Sequence, residues 1–430
     1  MSFPLRLRLA LCASALGMSV SLAAPPPANL SLEETAALAT AHARDAEDSR
    51  GAIEAAVQQA VAAGQLPDPI LKVGLNNVPA DGPDKGSLSR DSMTMRSISV
   101  MQEFTRSDKR RARTARFEAE AAAADAQRMV GVTNVQRSAV SAWIDRWYAE
   151  KAAELLGHHL HPLDLALEAA NAAYRSGRAT RADVLTAQLE VQKLRDRESE
   201  NRTALDTATV DLARWIGDDA KRPLGARPPL TLPDRVAQIV QTRFDGVPEV
   251  AAAQRDVAVA ESEVRVADET RKPDISVELM YSQRGASYSN MASVNVSFPL
   301  PWDRANRQDR EVAARLAQAE AARAKAETVR RNTNALVNAR LAELNRNLER
   351  LKRYDDATLP LATAQADAAL TAYRANTGSL QAVAEANHRA IDTALERLTL
   401  EQRTTRLWAE LTFLTPLPTA QTASANKDLQ

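Results

Sequence analysis

The chain of 430 residues has few aromatic side chains, few glycines and no excess of charge of either sign. Aromatic residues make up 4% of it, and it contains only 14 glycines. These scarcities argue against a β-sandwich, a β-propeller or a nucleotide-binding α/β enzyme. Basic and acidic residues number 55 each, so no net charge attracts nucleic acid or an acidic membrane. We therefore expect no nucleic-acid partner.

Cysteine and long apolar runs are also nearly absent. The only cysteine, Cys12, lies in an N-terminal stretch in which Arg6 and Arg8 precede apolar residues 9–22. This pattern predicts an export signal over residues 1–23, with lipidation of Cys12 as an open alternative. The mature chain then has no thiol, which excludes disulfide scaffolds, cysteine zinc sites and cysteine catalysis. No later segment has the roughly 20 uninterrupted apolar residues of a membrane-spanning helix.

What the chain does contain is alanine and charge in helical patterns. Charged residues make up 26% of it, and alanine-rich runs such as 118–126 are frequent. Segments 109–174 and 305–373 each predict a helix roughly 100 Å long at 1.5 Å per residue. In the second segment, apolar residues spaced four and three apart predict a coiled-coil seam: Val337, Leu341, Leu344, Leu348 and Leu351.

An internal repeat organises the chain. Segment 67–75 is echoed by 272–279, and the alternating stretch 98–104 is echoed by 294–300. Alternation of apolar and polar residues predicts strands with one apolar and one polar face. Segment 93–104 changes face part way, which predicts a β-bulge there.

Both long helices end in matching segments, 174–184 and 373–383, at a constant offset of 199 residues. Gly177 and Asn376 tolerate the left-handed backbone of a helix end. Thr180 and Ser379 are good N-caps for a returning helix, and Asp183 completes a capping pattern. The sequence thus predicts two helical hairpins with similar tips.

Prolines near the tips suggest irregular helices. Pro162 and Pro360 precede the two tips and are expected to kink or loosen the descending helices.

The repeat divides the chain into five segments. They are the signal (1–23), a first repeat of helix, two strands and hairpin with its tip near 174–180 (24–216), a proline-rich connector (217–246), a second repeat with strands near 273–300 and a tip near 373–379 (247–414), and a flexible tail (415–430).

Four strands of an exported chain cannot close a membrane barrel alone. The smallest such barrel has eight strands, and open strand edges are not tolerated in lipid. Membrane insertion therefore requires several chains, and a trimer with twelve strands is the even solution.

These features resemble those of the TolC family of outer-membrane efflux proteins. The resemblance rests on the duplicated order, the Pro-Asp-Pro strand opening at 67–69, the segment 298–304 and the Tyr-x-x-Gly-x-x-Thr tip. It implies a mainly α-helical fold with a small β part: long coiled-coil hairpins and four strands per chain. It further implies a homotrimer with a 12-stranded barrel in outer-membrane lipid and a periplasmic α-helical tunnel. An inner-membrane pump of the RND type and a periplasmic membrane-fusion adaptor dock below, and no cofactor is expected.

Shorter motifs are similar to those of the heavy-metal efflux (CzcC-like) branch, namely 65–69, 76–79 and 93–104. The expected role is a passive exit duct for heavy-metal cations. The alternatives are an efflux channel for drugs or organic compounds, a protein-export channel of the same family, or a periplasmic coiled-coil adaptor.

The resemblance assigns a set of tip and aperture residues. They are Tyr174, Gly177, Thr180 and Asp183 in the first repeat, and Tyr373, Asn376, Ser379 and Glu385 in the second. Glu385 falls where some members place an aperture acid, whereas Ala382 stands where others have a second one. Three copies of Glu385 would attract cations; alternatively, Glu385 is an ordinary exposed helix charge.

Other candidate sites are weaker. His158 and His161 share a helix face, but no carboxylate at ligand spacing completes a metal site, so we expect a solvated cluster. Met93, Met95 and Met101 could bind Cu(I) or Ag(I), although methionine beside a strand more often supplies apolar surface. No catalytic constellation is present, and we expect no enzyme.

Overall fold

The structure, a computed structural model, describes residues 29–43, 45–375 and 377–417. The predicted signal with Cys12, the tip residue Asn376, and residues 418–430 of the predicted tail lie outside the described residues.

The described chain is mainly helical with one small sheet. In order, the elements are α1 (Leu32–His42), α2 (Asp45–Ala63), β1 (Ile70–Asn76), β2 (Met95–Phe104), α3 (Ser107–Arg175), α4 (Arg181–Ile216), a 3-10 turn (Gly217–Lys221), α5 (Asp234–Gln241), α6 (Pro248–Thr270), β3 (Ile275–Gln283), β4 (Met291–Ser297), α7 (Gln308–Arg353), a π turn (Tyr354–Thr358), α8 (Leu359–Arg374) and α9 (Leu380–Thr412). Two successive sets of helix, strand pair and helical hairpin are present, as the repeat predicts.

The four strands form one antiparallel sheet in the order β1-β2-β3-β4. Its central pair joins the two repeats, with Phe104 opposite Ile275 and Arg96 opposite Gln283. Both ladders of β2 run without an inserted residue, so the predicted bulge in 93–104 is wrong. The apparent change of face in the sequence arises because Arg96 and Gln102 lie on the apolar face of β2, while methionines lie on its polar face.

The long hairpins differ at their prolines. The 69-residue helix α3 is about 100 Å long and stays helical across Pro162. In the second hairpin, the π turn interrupts the descending helix directly before Pro360. Proline donates no backbone hydrogen bond, and its ring crowds the carbonyl four residues earlier. The wider π turn accommodates both effects.

The main core lies where the middle of α3 meets the ends of α4 and α9. Trp143 is fully buried there, and its Nε1 donates to the Leu30 carbonyl at 3.0 Å. Tyr148 donates or accepts a 2.8 Å hydrogen bond with Thr405, and burial raises the pKa of its hydroxyl. The seam residues of α7 also pack in this region, with Val337 and Leu344 buried.

The proline-rich connector packs against this core. Leu30 forms a parallel bridge with Leu224, and Arg146 donates to the carbonyl of Arg222 at 3.0 Å. Its 3-10 turn and α5 bury Ala220, Val236 and Ile239.

Among the described residues, no helix is both long enough and apolar enough to cross a membrane.

Candidate functional site

The strand register separates the sheet into two chemically different faces. One face carries the apolar set Leu71, Val73, Leu75, Ile98, Val100, Phe104, Ile275, Val277, Leu279, Tyr281, Val294 and Val296. The opposite face carries serines, asparagines, Lys72, Glu103, Glu278 and methionines. The alternation predicted for the second repeat is confirmed and extends over all four strands.

The apolar face is the exposed one. Val73 is 78% exposed and Val294 is 66% exposed, whereas Ser99 and Ser282 on the polar face are 5% and 1% exposed. Large contiguous apolar surface is rare on soluble monomers and marks contact with lipid or protein. On the central strands β2 and β3 the polar face is therefore the more sheltered one, whereas polar-face residues of the outer strands, such as Lys72 and Asn295, are exposed.

The polar face contains a charge pair between the outer and inner strands. Lys72 Nζ lies 3.2 Å from Glu278 Oε1, and the Ser99 hydroxyl donates to the same oxygen at 2.6 Å. These contacts connect β1, β2 and β3 on one side of the sheet.

Both edges of the sheet are open. Each of β1 and β4 pairs with one neighbour only among the described strands. Unpaired edges of this kind are ready to pair with another strand.

The first hairpin tip has the predicted caps. Gly177 has φ +71°, and the amide of Arg178 donates to the Ala173 carbonyl at 2.9 Å, closing the end of α3. Thr180 caps α4: its hydroxyl accepts from the Asp183 amide at 3.3 Å, and the Asp183 carboxylate accepts from the Thr180 amide at 2.8 Å. Tyr174 is about half exposed.

The described residues of the second tip make different contacts. The Ser379 hydroxyl accepts from the Ala382 amide at 3.1 Å and caps α9. The amide of Gly378 donates to the Ala372 carbonyl at 3.0 Å. A Cβ at Gly378 would lie 3.1 Å from the Ala372 Cβ, so close approach, rather than a left-handed backbone, favours glycine here. Sequence comparison of the tips missed this residue because the matching position holds Ala179.

The structure brings the two tips together. Ala170, Val184, Ala187 and Leu380 form a buried cluster against which Tyr373 packs. Tyr373 thus packs against the cluster that joins the two hairpins, while its counterpart Tyr174 is the more exposed of the two.

Glu385 lies just above the tip on α9, and its side chain is exposed. Its carboxylate accepts from Gln381 at 3.0 Å, and it forms no ion pair within the part of the chain that the structure describes. Ala382 is exposed one turn earlier.

A polar link between α4 and α9 was not expected from the sequence. Arg197 contacts Asp392 at 2.6 Å, and His388 Nε2 lies 3.3 Å from the same carboxylate. His388 Nδ1 lies 3.7 Å from Glu190. The i, i+4 pair His388 and Asp392 is visible in the sequence, but the partner helix is not.

The histidines on α3 remain an isolated group. Burial and the neighbouring His158 lower the pKa of His159. Over residues 29–43, 45–375 and 377–417, no set of three or more His, Cys, Asp or Glu side chains is arranged to hold a metal ion.

Comparison with known proteins relates the chain to solved structures. No protein-family model and no curated protein sequence matches it. A membrane protein from Pseudomonas aeruginosa superposes with a TM-score of 0.75 and 15% identity, over 89% of this chain and 93% of that one. The outer membrane protein VceC from Vibrio cholerae gives 0.69 and 16%, over 89% and 95%. The outer membrane channel CmeC from Campylobacter jejuni gives 0.68 and 13%, over 93% and 88%.

At these identities the likeness concerns the fold. The chain has the fold of the TolC-family outer-membrane channels, mainly helical with a four-stranded antiparallel sheet. These structural neighbours are TolC-family channels, which are not enzymes.

Proposed function

We propose that this protein is the outer-membrane channel of a tripartite efflux system. It provides a passive exit for heavy-metal cations delivered by an inner-membrane pump of the RND type through a periplasmic membrane-fusion adaptor. The observation that carries the proposal is the sheet, with an exposed apolar face, an opposite polar face and two open edges.

Lipid is the environment that suits this sheet. Its apolar side chains match hydrocarbon, but its unpaired edges are costly there unless other strands cover them. Three copies, each pairing its β1 with β4 of the next, make a closed ring of twelve strands. The polar face then surrounds a water-filled lumen.

Apolar residues near the hairpin tips also favour association of copies. Leu165, Leu185, Leu189 and Leu361 are each more than half exposed on α3, α4 and α8. Buried between hairpins of adjacent copies, they would line the contacts of a helical tunnel in the periplasm, with α3 reaching about 100 Å from the sheet.

The tip residues form the entrance in this proposal. The candidate entrance residues are Tyr174, Gly177, Thr180, Asp183, Tyr373, Asn376 and Ser379, and Glu385 from three copies makes an acidic ring. An acidic ring attracts cations and repels anions at a constriction.

In bilayer conductance, Glu385→Gln is expected to lower the preference for cations. The control is Glu200→Gln on α4, at an exposed glutamate about 20 residues from the tip that forms no ion pair among the described residues. Unchanged selectivity in Glu385→Gln would remove Glu385 from the mechanism.

Two adjacent substitutions in β4 test the membrane assignment. Val294→Arg places a charge on the apolar face, at a cost of about 2–4 kcal/mol if that face contacts lipid. Ser293→Arg places the same charge on the polar face. We expect a heat-sensitive trimer in outer-membrane fractions for the wild type and Ser293→Arg, and a reduced amount for Val294→Arg. Equal tolerance of both, or a soluble wild-type monomer, would contradict the proposal.

Growth of a deletion strain tests the substrate. Sensitivity to divalent or monovalent metals alone, reversed by re-expression, would support metal efflux. Sensitivity to organic toxicants alone would keep the channel and reassign it to drug efflux. An adaptor is disfavoured because the described residues contain a single sheet and two matching hairpin tips.

A further inference from the structure

The methionines of this chain are concentrated on one face of the sheet. Of the eight methionines, two lie in the predicted signal and Met129 lies in α3. Of the remaining five, one is in the loop before β2 and four are in the strands: Met95, Met101, Met280 and Met291. The register places all four strand methionines on the polar face and none on the apolar face.

Three of them form a diagonal row across neighbouring strands. Met101 on β2 lies opposite Glu278, two residues from Met280 on β3. Met280 lies opposite Ser293, two residues from Met291 on β4. Diagonal neighbours in a sheet are about 7–8 Å apart, within reach of long flexible side chains. The row therefore offers several thioethers along one path over the polar face.

Packing alone does not account for this placement. A methionine that only supplied apolar surface would suit the opposite face, where valine, leucine and isoleucine predominate. Instead the methionines lie among polar residues such as Ser97, Ser99 and Asn295. Thioethers on a polar face are available to solutes that pass along it.

One of the sulfurs contacts the ammonium group of a lysine side chain. Lys72 Nζ donates to Met101 Sδ at 3.6 Å, and the same ammonium lies 3.2 Å from Glu278 Oε1. The charges of Lys72 and Glu278 balance, so this part of the face has no net positive charge to repel a cation.

We propose that the polar face of the sheet binds soft monovalent metal ions, Ag(I) and Cu(I), through Met95, Met101, Met280 and Met291. This inference rests on the proposed channel function and names its substrate class. Thioethers are soft neutral ligands that select Cu(I) and Ag(I) over harder cations such as Zn(II). Each contact is weak and there are several of them, which suits passage because conduction requires sites that ions can leave.

Silver binding to the full chain purified in detergent tests the site directly. The probe is silver nitrate in chloride-free buffer. We expect saturable silver uptake by the wild type and its loss in the variant M95L/M101L/M280L/M291L. Leucine conserves the side-chain volume, so the fold is retained. M129L, at the helical methionine, is the matched control and is expected to bind like the wild type.

The outcomes separate this inference from the channel function. Silver uptake that is absent from the wild type, or unchanged in the fourfold variant, overturns the methionine site. If the fourfold variant does not assemble as a trimer, M101L/M280L alone is titrated, and unchanged uptake there also overturns it. In a deletion strain, the variant is expected to lose protection against silver while keeping it against zinc. A wild type that protects against neither metal refutes the heavy-metal part of the proposed function, whereas the silver titration still decides the methionine site.

Discussion

Removing the carboxylate of Asp274 is expected to weaken the joint between the sheet and the first long helix. Asp274 lies just before β3, and its Oδ2 is 2.5 Å from Lys109 Nζ in the first turn of α3. Its Oδ1 accepts from the Arg106 amide at 3.1 Å. The side chains of Lys109 and Asp274 are only 10% and 13% exposed, so the pair is largely shielded from water.

The magnitude follows from this burial. Asp274→Ala leaves the Lys109 ammonium without its counter-charge in a site that water scarcely reaches. Breaking a fully buried ion pair in this way costs about 3–5 kcal/mol, and the residual exposure favours the lower end, about 3 kcal/mol. A loss of about 3 kcal/mol raises the unfolded fraction about 100-fold. Replacing both charges, as in D274A/K109M, is expected to recover most of the loss because no buried charge remains.

Denaturant unfolding in detergent at one fixed protein concentration measures these differences, since association of copies shifts apparent stability. Asp256→Ala, at an exposed aspartate of α6 without an ion pair among the described residues, is the control and should stay within about 0.5 kcal/mol of the wild type. The reasoning is refuted if Asp274→Ala matches that control, or if the double variant is no more stable than the single one.

Three further predictions concern the tips and the helical region. Gly177→Asn is expected to be tolerated because asparagine adopts positive φ. Gly378→Asn is expected to increase amide hydrogen exchange at its tip, because a Cβ there would lie only 3.1 Å from the Ala372 Cβ and the end of α8 would have to shift. Equal exchange in both variants would contradict this. A hydrogen bond from Arg403, at 2.6 Å, holds the pKa of the Glu343 carboxyl below its ordinary 4.5. The ion pair therefore stabilises the fold above pH 4.5, and this stabilisation is lost as the pH falls through the lowered pKa. Glu343→Gln should therefore lower the unfolding midpoint at pH 7 more than in acid; a constant difference from pH 7 to pH 3 would exclude the linkage. Trp143→Ala, at a fully buried side chain, should cost about 3–5 kcal/mol in denaturant unfolding, and a loss under about 1 kcal/mol would show that the core is not organised around it.

Local patterns in the sequence predicted the elements that depend on near neighbours. The caps at Thr180 and Ser379 and the faces of β3 follow from spacings of a few residues, and the structure has them. The pairing of β2 with β3 joins residues more than 160 positions apart, such as Phe104 and Ile275, and no local pattern specifies it. For the same reason the sequence could flag Met95 and Met101 but could not place Met280 and Met291 beside them.

Equivalent positions of the two repeats have different surroundings, and the difference has one physical origin. Asp274 and Asp68 correspond by the repeat, yet Asp274 is buried against Lys109 while Asp68 is exposed and forms no ion pair in the described chain. The reason is that β3 has β2 beside it, whereas β1 ends the sheet. A single chain therefore forms the contact between Asp274 and the first long helix, and leaves the equivalent contact of Asp68 unformed. In a ring of identical copies, β1 of each copy meets β4 of the next, a head-to-tail contact that closes when its rotation fits a whole number of chains. In the proposed ring, the duplication gives each copy one complete contact between strand and long helix, and leaves the equivalent second contact to be formed with the next copy.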